Sequence, residues 1–579
     1  MNPSHDTGVL IVGGGPTGMA TALELRCRGV DFTLVEAGDG SVTHPKVSAI
    51  GPRSMEFFRR WGMADRVRGA GWPGDHTLDC VWVTRVGGHE LYRLPRRTMD
   101  TRAPFRHTPE PDAICPQHWL GPLLREELGV HPGGPVRMRT RMTGFTQDED
   151  GVTARLTDEA TGRSTTLRAR YLIACDGTSS QVRKDAGIDA PARHRTRVCR
   201  NILFRAPRLR EELGERNANF FYLLMSSALR FPLRALDGKD LYRLTVGLLG
   251  HPDSLVDAET LVRRAIAHDT PVEVLSDNQW HLVHRVAESF RADRVFLVGD
   301  AAHTLSPSGG FGMNTGICGA ADLGWKLAAA FDGWAGPGLL DSYTTERRPV
   351  ALEGLEEANR HLVRAWAREI PGELNDDTPE GERHRRSLGA DLAAGPVAKE
   401  FDAPEIHLGF SYADSPLVVP DPTVPADTHD DRRPNSRPGS RAPHAWVKPG
   451  TSTLDLFGDG FVLMSSTRSA RTDGFTRAFA DRRVPLTVVH CEVPEVVESL
   501  ERPFVLVRPD GHVAWRGHEL PDDPAAVAAR VTGAAPRPTG TSTGTGTGTS
   551  TSTGTGAGTG TDSGTGGTAT SATGTGGAV

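Results

Sequence analysis

Apolar residues recur along this chain in short runs that end abruptly at a glycine or an acid. Residues 9–12 (Val-Leu-Ile-Val), 32–35 (Phe-Thr-Leu-Val) and 295–298 (Val-Phe-Leu-Val) share this form. Runs so short, with almost no polar interruption, predict strands covered on both faces. A segment of helical character follows the first run as far as Arg28, and an Ala-rich apolar segment from Met313 to Phe331 follows the third. Residues 136–145, 151–157 and 165–174 instead alternate polar with apolar, as strands of a meander do. Residues 72–106 carry Trp72, Trp82, Tyr92 and Phe105 in a similar alternation and predict part of a second sheet. Between about 190 and 290 short strands are expected at 202–205, 220–225, 228–233 and 241–249, with a helix at 261–268.

Residues 340–349 open a long charged helix, and residues 370–445 are so rich in Pro, Asp, Arg and Gly that a linker with little regular structure is expected. Beyond it come strands at 460–464 and 485–492, a helix at 474–482, and a hairpin of 504–507 and 512–516 around Pro509-Asp510-Gly511. A helix at 524–532 closes this part. From Pro536 the chain is a Thr/Gly/Ser repeat that cannot bury enough surface to offset backbone ordering, so disorder is expected there.

At 579 residues the chain is longer than a single core grows, so two or three domains are expected. Lys plus Arg total 66 against 72 Asp plus Glu, with no basic run to follow a phosphate backbone, which argues against nucleic acid as a partner. No stretch approaches the roughly 18 to 20 apolar residues of a membrane span. The first strand begins within ten residues of Met1, leaving no room for a signal peptide, so a soluble cytoplasmic protein is expected. The seven cysteines are dispersed and never spaced C-x-x-C, which predicts reduced thiols and no metal site.

Chemistry concentrates where the covered runs end. The first runs into Gly13-Gly14-Gly15-Pro16-Thr17-Gly18, a G-x-G-x-x-G turn, and Glu36 stands eighteen residues beyond the last glycine at the end of the second run. Strand, glycine turn, helix, strand and acid together form a dinucleotide fingerprint. Gly13 permits the turn, Gly15 lets the backbone reach a pyrophosphate, Gly18 lets helix and strand pack, and Glu36 is placed to accept from a ribose hydroxyl. The third run ends at Gly299-Asp300, an acid at a strand end suited to sugar or polyol hydroxyls. After it, Gly309, Gly310 and Gly312 allow close backbone approach to a flat ligand at the positive end of the following helix.

With a third element, Cys175-Asp176-Gly177-Thr178-Ser179-Ser180-Gln181-Val182-Arg183, these turns resemble those of the FAD-dependent aromatic hydroxylases, the single-component flavoprotein monooxygenases related to para-hydroxybenzoate and phenol hydroxylases. The resemblance covers about residues 8–360. Within that family the polyketide hydroxylases look most similar, and residues 43–56 are similar to the tetracenomycin-type oxygenases. The implied architecture is α/β. A Rossmann-like FAD-binding domain occupies 1–190, with a small substrate-side insertion near 72–106. An inserted mixed-sheet substrate domain fills 191–290, and the FAD-binding domain returns with a long helix over 291–395. A thioredoxin-like domain lacking C-x-x-C follows at 396–535, with the Thr/Gly tail at 536–579.

The resemblance also implies roles. FAD would be held by Gly13, Gly15, Pro16, Thr17, Gly18 and Glu36, by Asp176, Gly177 and Arg183, and by Gly299, Asp300, Pro307, Gly310, Gly312, Met313 and Asn314. Arg53 and Gln117 match an arginine and a glutamine that contact the flavin nucleotide. Lys46 stands where arginine is usual, which keeps charge but loses a bidentate fork. Tyr222 is a candidate to hydrogen-bond a phenol and His303 a candidate general base, though each also reads as structural.

The implied activity is hydroxylation of an aromatic polyketide or other polycyclic phenol in antibiotic biosynthesis. NADPH, or NADH, would reduce FAD, and O₂ would react through a flavin C4a-hydroperoxide. No second G-x-G-x-x-G lies between Gly18 and the tail, so the nicotinamide cofactor is expected to bind transiently. A Baeyer–Villiger or epoxidising oxygenase, a flavin oxidase or dehydrogenase, and a non-catalytic FAD-binding protein share the same motifs. A homodimer is left open.

Overall fold

The computed structural model describes residues 5–45, 49–131, 133–226, 229–247, 255–423, 435–468 and 471–535. The expectations for Lys46 and for the tail from 536 fall outside them.

The covered runs assemble as their composition requires. Thr7–Val12 pairs in parallel with Phe32–Val35 on one side and Ser164–Ala174 on the other. Val295–Leu297 lies beyond Ser164–Ala174, and Val136–Arg137 beyond Phe32–Val35, also in parallel. Val9, Leu10, Ile11, Leu34, Leu172, Ile173 and Phe296 have no solvent exposure. Such a sheet needs a layer of helices. Helices Pro16–Cys27 and Phe311–Phe331 supply it, and they approach closely because a Cβ at Gly324 would collide with Glu24 of the facing helix. Since all five strands run the same way, their carboxyl ends emerge on one edge.

The second sheet has seven strands in the order Glu273–Leu282, Arg197–Arg205, Leu241–Val246, Pro232–Ala235, Phe220–Leu223, Cys80–Val83 and Glu90–Leu94. It unites the aromatic segment near 80–94 with strands from beyond 190, as the alternation in both suggests. One face, with Val81, Phe221, Leu233, Leu244 and Ile202, packs on helix Ala258–Ala265. The opposite face carries Trp82, Tyr222, Arg234 and Arg243, brought side by side by the cross-strand register. Two details differ from expectation. The strand expected at 228–233 starts instead at Pro232, whose ring removes a ladder donor but is tolerated at a first position. The ten-residue edge strand Glu273–Leu282 had no apolar signature because most of its side chains are exposed or half-exposed.

Residues 370–445 are not a structureless linker. Helix Pro379–Ala394 crosses them, started by Pro379 and by Thr378, whose hydroxyl accepts from the Gly381 N–H. Its apolar stripe is only Leu388 and Leu392, too narrow to read among six charged residues, yet it seals the second sheet with Leu374 and Val397 against Trp82 and Tyr222.

The last part is a four-stranded sheet in the order Leu486–His490, Phe461–Ser465, Phe504–Val507 and Val513–Gly517, with helices Asp473–Ala480, Pro494–Leu500 and Pro524–Val531. Its strands and helices follow the expected thioredoxin-like pattern, and Ser465-Ser466-Thr467 stands after the first strand where a redox dithiol would be. Its core is continuous with the first layer: Trp325 of the long apolar helix meets Trp334 at 6.2 Å and Phe461 at 6.1 Å. All seven cysteines are free thiols, and Cys27 alone among them is exposed.

Candidate active site

The site is built on the common edge of the parallel sheet. Gly13 has φ of +109°, a conformation open to glycine, and a Cβ there would strike the Cys175 carbonyl. A Cβ at Gly18 would strike the Gly13 carbonyl, and one at Gly299 would lie 2.8 Å from the Thr17 side chain. The three turns at 13–18, 175–177 and 299–300 therefore interlock at van der Waals distance. At Gly15, Gly177 and Gly312, by contrast, nothing lies within 4 Å of where a Cβ would sit. These backbones face room.

The polar groups around that room suit a dinucleotide. Helices Pro16–Cys27 and Phe311–Phe331 start at Gly15 and Gly310 without a side-chain cap, so their first N–H groups point outward at two positive helix ends. Glu36 accepts from Gly14 N–H at 2.6 Å and Gly38 N–H at 2.7 Å, which fixes its carboxylate while leaving lone pairs for ribose hydroxyls. Asp176 caps the helix Gln181–Asp185 through Oδ2, at 2.9 Å from Gln181 N, while its buried Oδ1 has no hydrogen-bond partner. Cap and candidate ligand are thus the two oxygens of one carboxylate. Thr178 donates to Asp300 Oδ2 at 3.4 Å, joining the second and third turns.

Asn314 ties the third turn to the segment before helix Pro52–Arg60. Its Oδ1 accepts from Gly51 N–H at 2.8 Å, and its amide nitrogen donates to the Gly310 carbonyl at 2.7 Å. Met313 is buried beside it. Gln117 opens helix Gln117–Glu127, three residues after strand Ala113–Ile114, which pairs with Ala49–Ile50. Pro307 leads the turn that reaches Gly310.

Three expected residues have partners within the protein. Arg53 is buried, its Nη1 donating to Glu56 at 2.7 Å and its Nη2 to the Asp510 carbonyl at 2.6 Å, so its fork is spent on protein rather than held out to a phosphate. Arg183 donates to the Ala301 carbonyl at 2.9 Å and braces the strand end behind the site. His303 is 4% exposed, and burial, with Arg347 adding to it, pushes its pKa down to about 3. It packs against Phe290 as a buried, neutral imidazole.

Tyr222 lies on the same face of the second sheet as Arg234, stacked on Trp82 at 5.1 Å and buried under Leu374, Leu392 and Val397. Burial, then the charge of Glu400, raises its pKa well above the ordinary phenol value. Glu400 escaped sequence reasoning because it falls in the supposed linker. Burial pushes its pKa up, opposed by the neighbouring Tyr222 and Ser308, the latter in the turn between Pro307 and Gly310.

Two arginines were also missed. Arg234 and Arg243 are cross-strand partners, each within an apolar run at an alternating, inward position, which is the sequence signal they carry. Arg243 donates to the Pro45 carbonyl at 2.9 Å, and burial brings its pKa down to about 10. Burial pushes Arg234 well below its ordinary value, and Arg243 adds to the shift. Arg234 Nε and Nη2 are buried without a hydrogen-bond partner, and no carboxylate pairs with it among the described residues.

Comparison with known proteins fits this geometry. The FAD binding domain family matches residues 6–358, more than half of the chain, and the aromatic-ring hydroxylase C-terminal family matches residues 435–535. The chain belongs to the FAD-dependent aromatic-ring hydroxylases. This hydroxylase is 34% identical to the tetracenomycin A2 monooxygenase-dioxygenase of Streptomyces glaucescens, over 90% of this chain and 95% of that one. A structure of the rebeccamycin biosynthetic enzyme RebC with reduced flavin superposes with a TM-score of 0.87 at 60% identity, covering 91% of this chain and 99% of RebC. The ternary complex of aklavinone-11 hydroxylase with FAD and aklavinone gives 0.77 at 30% identity, covering 92% and 100%. The hydroxylase is an enzyme of the polyketide and aromatic antibiotic-biosynthesis group, and its cofactor is FAD. No helix among the described residues is long and apolar enough to cross a membrane.

Proposed function

We propose that this hydroxylase oxygenates a flat, polycyclic aromatic substrate that carries a carboxylate, with NADPH (or NADH) and O₂ as co-substrates. Arg234 carries the reading. A guanidinium removed from water with no counter-charge is costly, and the cost is recovered when an anion arrives. Beside it Arg243 offers a second cation, and Phe220, whose ring lies 5.4 Å from the Arg234 guanidinium, an aromatic wall, the combination that binds a planar ring with an acidic edge. A RebC structure is described as soaked with chromopyrrolic acid and holding 7-carboxy-K252c, a ligand carboxylated by name, which supports the same class of substrate.

Bound FAD would take electrons from the nicotinamide cofactor and deliver one oxygen atom of O₂ to the ring. The chain's own task is placement. Arg234 and Arg243 orient the substrate by its carboxylate, and Trp82 and Tyr222, packed under Leu374, Leu392 and Val397, back that face of the sheet. Glu400 and Tyr222 keep a proton between the substrate face and the turn at Ser308. The covered second sheet keeps water from the reacting edge.

The test is binding and turnover of a carboxylated polycycle beside its methyl ester, with ¹⁸O₂ and product mass as the readout. The acid should bind at least ~10-fold tighter, about 1.4 kcal/mol, and gain labelled oxygen. Equal affinity for acid and ester would sink the carboxylate reading, and peroxide without labelled product would sink oxygen transfer.

A further inference from the structure

The turn at residues 508–512, the tip of the hairpin formed by Phe504–Val507 and Val513–Gly517, leaves the C-terminal sheet and enters the base of the flavin-binding layer. Arg508 is fully buried there. It donates to Glu346 at 2.6 and 2.9 Å, to Asp322 at 3.1 Å and to Asp510 at 2.6 Å. Lys326 completes the cluster, 2.8 Å from Asp322. Asp322 belongs to Phe311–Phe331, the helix whose amino end faces the flavin room, and Glu346 to helix Ser342–Ala367.

Two arms then run from the same turn to that amino end. In one, the Asp510 carbonyl accepts from Arg53, two residues from Gly51, whose N–H is held by Asn314 in the first turn of the helix. In the other, the His512 ring packs on Tyr412 at 4.3 Å, the Tyr412 hydroxyl accepts from Arg347 at 2.8 Å, and Arg347 donates to the Thr315 carbonyl at 3.1 Å. Each arm thus ends within a residue or two of Asn314.

We propose that the C-terminal domain serves the flavin site directly: its turn at 508–512 is a clamp that sets where the amino end of Phe311–Phe331 stands, with Arg508, Arg53 and Tyr412 as positioning residues. The arginine expected to touch the nucleotide acts instead through the protein, and a domain without a redox dithiol has work to do at the cofactor. The inference rests on FAD binding and is independent of which substrate is used. Displacement of a helix end by a fraction of its rise is enough to matter, because misplacement of about 1 Å in such a site costs on the order of 10²-fold.

The experiment uses the full chain. Arg508→Lys keeps the charge but loses the fork that holds three carboxylates, and Tyr412→Phe removes only the hydroxyl that receives Arg347. Flavin fluorescence titration of the apoprotein should show FAD dissociation constants raised by at least ~10-fold for the first and ~3-fold for the second. The visible spectrum of bound flavin should shift, and product formed per nicotinamide oxidised should fall at saturating FAD. Parent FAD affinity, flavin spectrum and coupling in a folded Arg508→Lys variant, even one that melts early, would overturn the proposal, since mere packing predicts that pattern. Should Arg508→Lys not fold, Tyr412→Phe and Arg53→Lys decide by the same three readouts, unchanged values refuting the clamp.

Discussion

The two halves of the active site are made in different ways. The flavin side is made of backbone: glycines at 13, 18 and 299 interlock where no side chain fits, and two uncapped helix ends supply the polarity. The substrate side is made of side chains standing on one face of a sheet, Arg234 and Arg243 among aromatic neighbours. A backbone site tolerates no added atom but is indifferent to most side chains. A side-chain site keeps its fold through substitution and loses only selectivity. Loops and glycines can thus hold one cofactor across the family while the facing sheet is free to accept different rings.

The sharpest way to break this contrast is at Gly18. Gly18→Val places a side chain on the Gly13 carbonyl, and FAD binding should be abolished, read by loss of yellow colour on purification and no recovery with added FAD. Arg234→Met should behave oppositely. It should lower kcat/KM for a carboxylated substrate by about 10²-fold, corresponding to ~3 kcal/mol, with FAD affinity retained. The same change removes an uncompensated buried charge, so the apoprotein should melt several degrees higher, a trade of stability for binding. If it melts lower, Arg234 has a counter-charge and the argument for an anionic substrate fails.

A smaller effect sharpens the comparison by pH. The cluster at Asp322 sets three carboxylates, Asp322, Glu346 and Asp510, against two cations, Lys326 and Arg508. Burial and the neighbouring carboxylates raise the Asp322 pKa to about 8 from 3.8. A carboxyl raised on folding binds its proton more tightly in the native state, so its contribution is fully present below about pH 4 and is lost as pH rises towards 8. Asp322→Asn should flatten the fall in melting temperature between pH 6 and 8; an unchanged slope would place the proton elsewhere in the network. Smallest of all should be His303→Asn. With a pKa pushed down to about 3, this histidine is neutral throughout the working range, and the pH profile of kcat should stay where it is.

What could be read from residues alone follows the same division. The covered strands, the glycine turns and the acids at strand ends were legible because each is a local pattern with one conformational meaning: Val9 to Val12 before Gly13, Val295 to Val298 before Gly299. Arg53 and Arg183 show the limit of such reading, because a guanidinium near a helix start looks the same whether it faces a phosphate or, as seen here, the carbonyls of Asp510 and Ala301. Arg234 and Arg243 gain meaning only when strands far apart in sequence pair, and Glu400 only when a supposed linker folds back to Tyr222 and Ser308. Helix Pro379–Ala394 was hidden by its polarity, since it buries little more than Leu388 and Leu392.

The parallel edge that gathers residues 13, 36, 176 and 300 has a cost in time. Three of its four strand pairings join segments more than a hundred residues apart, among them Ala174 beside Val12 and Leu297 beside Ala174. Such pairings are slow to find. A chain emerging from the ribosome cannot complete the cradle until Asn314 is out, and the contacts of Asp510 with Arg53 and of Arg508 with Glu346 form only once the turn at 508–512 has followed.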